Sequence, residues 1–298
     1  MKNFKFFFAA FMLLAASCSN DESLDSSVNN FSEQALAPVT VHVKGFSVSQ
    51  EEFSGPITRA AQDLGDYSGI NAVTLAFYAS NGTEAYKSTQ AKGDVNFGEF
   101  SLSLPMGSYT MVAVAYYHSD ASPLELTSPT EAAFTGTRAY ETFATTQEVV
   151  ISNTNAVDIS ATLDRVVTQL KVVSTDGKTA DVSNVRMTFS AGGKDFNPTT
   201  GFAITNTGFA NTVGNSAAVG STSTSLSFLF LATDEQNINV TIETLDADGA
   251  VLFSKTVNNV PFQRNRVTKL TGAMYTNEAL SGTFQIETAW LDEYDANF

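Results

Sequence analysis

The feature that most constrains this chain is a two-residue apolar rhythm that begins near Val39 and recurs almost to the C-terminus. Val39, Val41 and Val43 alternate with Thr40, His42 and Lys44. Successive side chains of a strand point to opposite faces, so this run predicts a strand with one buried face. Val73, Leu75 and Phe77 repeat the rhythm up to Ser80-Asn81-Gly82, and Phe100, Leu102 and Leu104 carry it to Pro105-Met106-Gly107. There Pro and Gly are expected to punctuate a hairpin. Met111 to Tyr117 is almost wholly apolar, the pattern of a strand covered on both faces.

Ser119 to Thr137 reads as loop, with one short helical turn expected over Thr130 to Phe134. Strands resume with Glu148 to Ile151, Val157 to Ala161 and Val166 to Val173. A second series follows, with turns at Asp176-Gly177, Gly192-Gly193 and Asp246-Ala247-Asp248-Gly249. Phe202 to Ser225, rich in Asn, Gly, Ser, Thr and Ala, reads as a long surface loop or a weakly twisted hairpin. The last strand sets Phe284, Ile286, Thr288 and Trp290 against Gln285, Glu287 and Ala289, and the acidic residues from Leu291 to Phe298 suit a solvated end or a capped edge. Strands spaced by about 8 to 12 residues with such turns predict an all-β chain of β-sandwiches. Its length suggests two domains, 39–163 and 164–298.

The N-terminus predicts a different environment for residues 1–38. Lys2 and Lys5 precede an apolar run of 11 residues, Phe6 to Ala16. That is too short to cross a bilayer core of about 30 Å, and residues 1–17 are therefore expected to be a removable signal. Leu14-Ala15-Ala16-Ser17-Cys18 ends it with small residues before the chain's single cysteine, whose thiol is the group a lipid transferase would alkylate. This stretch resembles the lipobox of bacterial lipoproteins, with Ala15 where Leu is more usual. It implies a lipid on Cys18, an outer-membrane anchor and a polar tether over 18–38. Ser19-Asn20-Asp21-Glu22 is similar to an acidic export signal for the outer face of that membrane, although a tether facing the periplasm would also be polar.

Without residues 1–17 the chain carries a net charge of −17. That field repels nucleic acid and anionic membrane surfaces, so attachment to a membrane must come from the lipid. With Cys18 consumed there is no thiol left for a disulfide, a thiolate metal site or a cysteine nucleophile. His42 and His118 have no neighbouring nucleophile or metal partner in sequence, and there is no Gly-x-Ser-x-Gly elbow. Asp246-Ala247-Asp248-Gly249 opens like a calcium loop, but Lys255 stands where the closing Glu belongs, which makes a hairpin turn the better reading. The expectation is a non-enzyme with no cofactor, no catalytic residue and no metal.

Three motifs together resemble the fimbrillin superfamily, the surface lipoproteins of Gram-negative anaerobes that build type V pili. They are Leu104-Pro105-Met106-Gly107-Ser108-Tyr109, then Leu163-Asp164-Arg165 before Val166, and the run from Val260-Pro261-Phe262 through Arg264-Asn265 and Thr268 to Leu270 and Gly272. The resemblance spans nearly the whole chain and implies two transthyretin-like, Greek-key sandwiches. It also implies export with a lipid on Cys18 and, in many members, a protease cut after an arginine that releases the first strand. Thr58-Arg59-Ala60 is the matching position here, although an exposed loop arginine has the same appearance. The cut would leave a groove for a neighbour's C-terminal strand, whose candidate in this chain is Phe284, Ile286, Thr288 and Trp290.

The implied partners are other pilus subunits through strand exchange, the outer membrane through the lipid, and a receptor on a host or bacterial surface. Stalk, tip and anchor positions all stay open. The alternative is a non-polymerising surface lipoprotein that binds glycan or host protein, for which the polar segment 203–225 and Tyr116, Tyr117 and Tyr140 are the candidate contacts.

Overall fold

The computed structural model describes residues 35–46, 64–276 and 283–290. Cys18, Arg59 and Ala60 lie outside the described residues. The first nine strands are β1 (Leu36–Phe46), β2 (Ala72–Ala79), β3 (Glu84–Ala91), β4 (Glu99–Pro105), β5 (Gly107–Tyr116), β6 (Leu124–Ser128), β7 (Glu131–Phe134), β8 (Thr142–Ile151) and β9 (Val157–Arg165). The remainder are β10 (Thr168–Ser174), β11 (Asn184–Phe189), β12 (Asp195–Phe196), β13 (Ala210–Gly214), β14 (Thr224–Leu229), β15 (Glu235–Leu245), β16 (Val251–Gln263), β17 (Arg266–Gly272) and β18 (Gln285–Trp290).

Seven of the first nine strands run in the order β3-β2-β5-β8-β9-β1-β4. The ribbon folds back on itself at β8–β9, where only Phe143 and Ala144 pair with Arg165 and Asp164. Val39, Val41, Phe100 and Ile159 from one half then meet Leu75, Phe77, Met111 and Val149 from the other in a single apolar cluster. The alternation seen in the sequence is what makes this possible, because a one-residue slip would turn every one of those side chains to solvent.

The second set repeats the first in its pairings. β1 runs parallel to β9 and antiparallel to β4, and β10 runs parallel to β17 and antiparallel to β14. β3-β2-β5-β8 has its counterpart in β13-β11-β15-β16. Leu170, Val185, Met187, Val240, Ile242, Phe262 and Leu270 form the core between the second pair of sheets. Among the described residues β18 has no counterpart in the first set; it is added at the edge of the second, antiparallel to β17.

Three expectations from the sequence are corrected. Pro105 to Tyr109 is not a hairpin: β4 pairs with β1 while β5 pairs with β2 and β8, so the segment arches from one sheet to the other. A Pro-x-Gly turn looks the same in sequence whichever sheet the next strand joins. Ser119 to Thr137 is not loop but contains the antiparallel pair β6–β7, so Thr130 to Phe134 enters a strand and not a helical turn. Strands of five and four residues between Pro123, Pro129 and Gly136 are too short for their period to be read. Within Phe202 to Ser225, β13 pairs with β11, and the segment is partly an edge strand.

The β6–β7 pair has a physical purpose. β5 is buried on both faces: Met111, Ala113 and Ala115 join the first core, while Val112, Val114 and Tyr116 point the other way. Leu126, Ala132 and Phe134 cover that second face together with Phe196 and Phe230. Phe196 and Phe230 stack with ring centroids 4.3 Å apart, and β12 pairs with β7. This cover therefore ties the two strand sets to one another.

Tyr78 lies in the same cover, 1% exposed, with no hydrogen-bond partner for its hydroxyl among the described residues. Burial, and then the nearby Glu84 charge, push its pKa up to about 12. A buried hydroxyl without a partner costs roughly 1–3 kcal/mol in protein mutants. Tyr78→Phe is expected to leave urea-unfolding stability unchanged or raise it by about 1 kcal/mol, whereas Tyr78→Ala lowers it by about 3–5 kcal/mol through the cavity.

Candidate functional site

Two of the three motifs singled out in the sequence, those around Arg165 and Asn265, meet at the passage from β9 to β10. The Arg165 side chain, 8% exposed, lies 2.9 Å through Nε from Glu141 Oε1, a close ion pair in which the N–H does not point along the contact. Its guanidinium also donates to Asn265 Oδ1 at 2.9 Å and to the Tyr67 hydroxyl at 3.0 Å. Tyr67 in turn donates to Glu141 Oε1 at 2.5 Å, and the guanidinium sits 4.6 Å over the Phe143 ring. Gly69 is required beside this network, because a Cβ there would run into the Glu141 carboxylate and the Tyr67 ring.

Each of the other motif segments closes an arch between sheets. Tyr109 donates its hydroxyl to the Pro105 carbonyl at 2.9 Å, locking the β4–β5 arch. Arg264-Asn265 arches from β16 to β17. Asn265 takes a φ of 59°, a left-handed conformation that Asn tolerates better than most residues, and donates its N–H to Val167 O. Arg264 pairs with Asp234 at 2.7 Å. Thr268 donates to Pro261 O at 2.6 Å. The motifs thus carry architecture, and the sequence had no way of naming Glu141 or Tyr67 as partners of Arg165, since neither is near it in the chain.

The two terminal strands are the segments with an assembly role to consider. β1 is central in its sheet, paired over Leu36–His42 with β4 and over Val39–Phe46 with β9, and Ala37, Val39, Val41, Val43 and Phe46 are buried. Residues 47–63, which include Arg59 and Ala60, follow it and lie outside the described residues. Among the described residues β18 has one strand neighbour and lies at a sheet edge. Of the candidate donor residues, Phe284 precedes β18 and packs on the second core, and Ile286 is 41% exposed. Thr288 and Trp290 are in register with Thr268 and Arg266.

Asp176 holds the approach to β18. Its carboxylate accepts from the backbone N–H groups of Met274, Tyr275 and Thr276 and from the Thr276 hydroxyl, at 2.8–3.0 Å. Burial opposes ionisation, but these hydrogen bonds outweigh it and hold the carboxyl below its usual pKa.

The remaining sequence candidates stay apart. His42 lies between Glu99 and Asp158, at 3.9 and 3.4 Å, and His118 stands beside Asp120. Asp246 Oδ1 accepts from the N–H groups of Asp248 and Ala250, forming the β15–β16 turn. Among the described residues no group of three His, Cys, Asp or Glu side chains is placed to hold a metal ion. In the polar segment, Asn211 is fully buried and donates to Ser227 at 2.8 Å. Tyr116 is core, whereas Tyr117 and Tyr140 face a cleft.

These observations define an all-β protein in which, among the described residues, two sets of seven strands repeat one pairing pattern and a further strand is added at an edge. The chain belongs to DUF6562, a family of unknown function whose model matches residues 45–297. No curated protein sequence matches it. Among solved structures it is similar to an adhesin candidate from Bacteroides ovatus, at 13% identity and a TM-score of 0.51, over 86% of this chain and 95% of that one. It is also similar to the fimbrial anchor protein Mfa2 of Porphyromonas gingivalis, with 12% identity, a TM-score of 0.45, and 85% and 98% of the two chains covered. The tip fimbrial protein Mfa3 of that organism, with a C-terminal truncation, gives 10% identity and a TM-score of 0.41 over 86% and 99%. The likeness to the first is one of fold, in line with the all-β sandwich read from the sequence.

Two measurements check the site. Arg165→Met strands the Glu141 carboxylate, and unfolding in urea is expected to show a loss of about 3–5 kcal/mol; adding Glu141→Gln to it should recover part of that loss. For Asp176 the sign follows from its lowered folded pKa: the stabilisation is present above the unfolded carboxyl's pKa and is lost as pH falls through the folded one. Asp176→Asn is therefore expected to melt below the wild type at pH 7, and the gap should close in acid below the ordinary carboxylate range.

Proposed function

We propose that this chain is a fimbrial subunit, at stalk, tip or anchor, that is exported with a lipid on Cys18 and joins other subunits by β-strand addition at the cell surface. The observation that carries this reading is the pair of terminal strands. β18 lies outside the strand pattern repeated by the two sandwiches, at an edge, and β1 fills a slot between β4 and β9 with five buried apolar side chains. A cut at Arg59 would free β1 and leave unpaired backbone groups along both neighbours. An incoming strand could satisfy them, with backbone hydrogen bonds supplying affinity and alternate side chains supplying register.

The names of the similar structures, adhesin and fimbrial proteins and not enzymes, support a surface role without catalysis. The division into sandwiches of 39–163 and 164–298 is part of the same proposal. The Arg165 network would then hold the two at a fixed angle along a fibre.

The N-terminal residue of protein isolated from cells tests the reading. Ala60 is expected for a polymerising stalk or tip subunit, and lipidated Cys18 for an anchor. Arg59→Ala is expected to block maturation and fibre growth in the first case; fibres of normal length built from that variant would exclude a stalk role. Loss of the terminal strand by truncation before Gln285 should leave the monomer folded and stop subunit addition, as read by electron microscopy of shed fibres.

A further inference from the structure

The place that β18 takes beside β17 has an equivalent in the first strand set. β9 is the counterpart of β17, since β9 runs parallel to β1 as β17 does to β10. β17 carries β18 over 266–271. β9 is paired on its outer side only at its end, where Asp164 and Arg165 meet Ala144 and Phe143 of β8. Along 157–163, among the described residues, no strand lies on that side.

One hydrogen bond fixes which backbone groups face this open edge. Val43 donates its N–H to Gly98 O, on the β4 side of β1. Backbone groups alternate sides along a strand, so Thr40 and His42 turn theirs toward β9. His42 is in register with Ser160, and in a parallel ladder it then bonds to the residues that flank Ser160, which are Ile159 and Ala161. The N–H and C=O groups of Asp158, Ser160 and Thr162 therefore point out of the sheet edge. All three residues are exposed, whereas Ile159, Ala161 and Leu163 are buried in the first core.

Exposed edges invite pairing unless they are blunted. β16 is blunted by Pro261 and by two register shifts against β15, and β14 is bridged at Phe228 by Ala139. β9 has no Pro, Gly or Lys over 157–163 and one acid, Asp158, which lies 3.4 Å from His42. It is a regular strand edge of about the length of β18.

We infer that the open edge of β9 is an acceptor for β18 of a second copy of this chain, which adds antiparallel along 157–163 while β1 stays in place. The inference takes its donor strand from the assembly reading but needs no cut at Arg59. β18 is the occupant that the repeat itself indicates, because it fills the equivalent position on β17. A β18 that passes from β17 to a neighbour's β9 exchanges one single-sided pairing for another, the low-cost exchange of domain swapping. Pairing on one side without a groove is weak, so this contact is a docking position for the donor and not the permanent joint of a fibre.

The test uses the full mature chain carrying Arg59→Ala, which retains β1, and a synthetic peptide of residues 284–290 as donor. In amide exchange followed by NMR, the N–H groups of Asp158, Ser160 and Thr162 are expected to exchange freely in the dilute chain. With the peptide they should gain about tenfold protection or more, saturating below about 1 mM. Ser160→Pro removes an outward N–H and no hydrogen bond to β1, so it is expected to abolish peptide binding and keep the wild-type unfolding midpoint. Peptides N-methylated either at Gln285, Glu287 and Ala289 or at Ile286 and Thr288 give a second readout that leaves the protein unaltered: one set should bind and the other should not, the signature of a strand ladder. Protection already present in the dilute free chain would assign the edge to the chain's own residues and overturn the inference. No saturation up to about 1 mM, unchanged binding by Ser160→Pro, or equal binding of both methylated peptides would overturn it too. Binding by chain cut after Arg59 but not by the uncut chain would sink this inference and uphold the assembly reading, whereas binding at β9 by the uncut chain stands whether or not fibres need the cut.

Discussion

The buried contact between Arg165 and Glu141 is the constraint on which the arrangement of the strands depends. Arg165 ends β9, and β10 begins at Thr168, so the chain passes from one strand set to the next within three residues. Three partners of the guanidinium sit on connections: Tyr67 before β2, Glu141 before β8 and Asn265 in the β16–β17 arch. Burying two charges costs several kcal/mol per ion, and their attraction repays this only when geometry and hydrogen bonds are good. Here the carboxylate also accepts from Tyr67 and the guanidinium has two hydrogen bonds and an aromatic face. The outcome is geometric more than energetic, since an apolar replacement of the whole group could be as stable but would no longer dictate where three separate loops go.

The aromatic cover over β2 and β5 works alongside that pair. A sandwich with one sheet buried on both faces cannot stand alone, because Val112, Val114 and Tyr116 would present an apolar patch to water. β6 and β7 cover part of it, and Phe196 and Phe230 from the second strand set complete it. Apolar area removed from water is worth about 25 cal/mol per Å², and two stacked phenylalanines bury enough of it to hold the sets together without any disulfide. A chain without a second cysteine has to find its rigidity in this way.

How much could be read from the sequence followed from the range over which each signal acts. Strand existence and face came from period two, a local property, and β1, β2, β4, β5 and β9 lie where Val39, Val73, Phe100, Met111 and Val157 place them. Sheet membership is not local, so Pro105 to Tyr109 looked like a hairpin although its strands join different sheets. β6 and β7 were lost because four or five residues hold barely two periods, and Pro123 and Pro129 imitate a loop. The appended position of β18 could be recognised only once the repeated pairings were laid side by side. Tyr117 and Tyr140 stood out by type, but the cleft they line with Gln169 and Phe228 is assembled from segments far apart in the chain and shows only in three dimensions.

Asp176 adds a limit to any exchange of the terminal strand. It grips the backbone of Met274, Tyr275 and Thr276 with an ionised carboxylate, while among the described strands β18 pairs with β17 at the sheet edge. An edge strand with one neighbour separates more readily than a root pinned by four hydrogen bonds, so a β18 that left β17 would remain anchored at Thr276. In the proposed assembly, then, Asp176 sets a fixed hinge at Thr276 from which the donor strand swings.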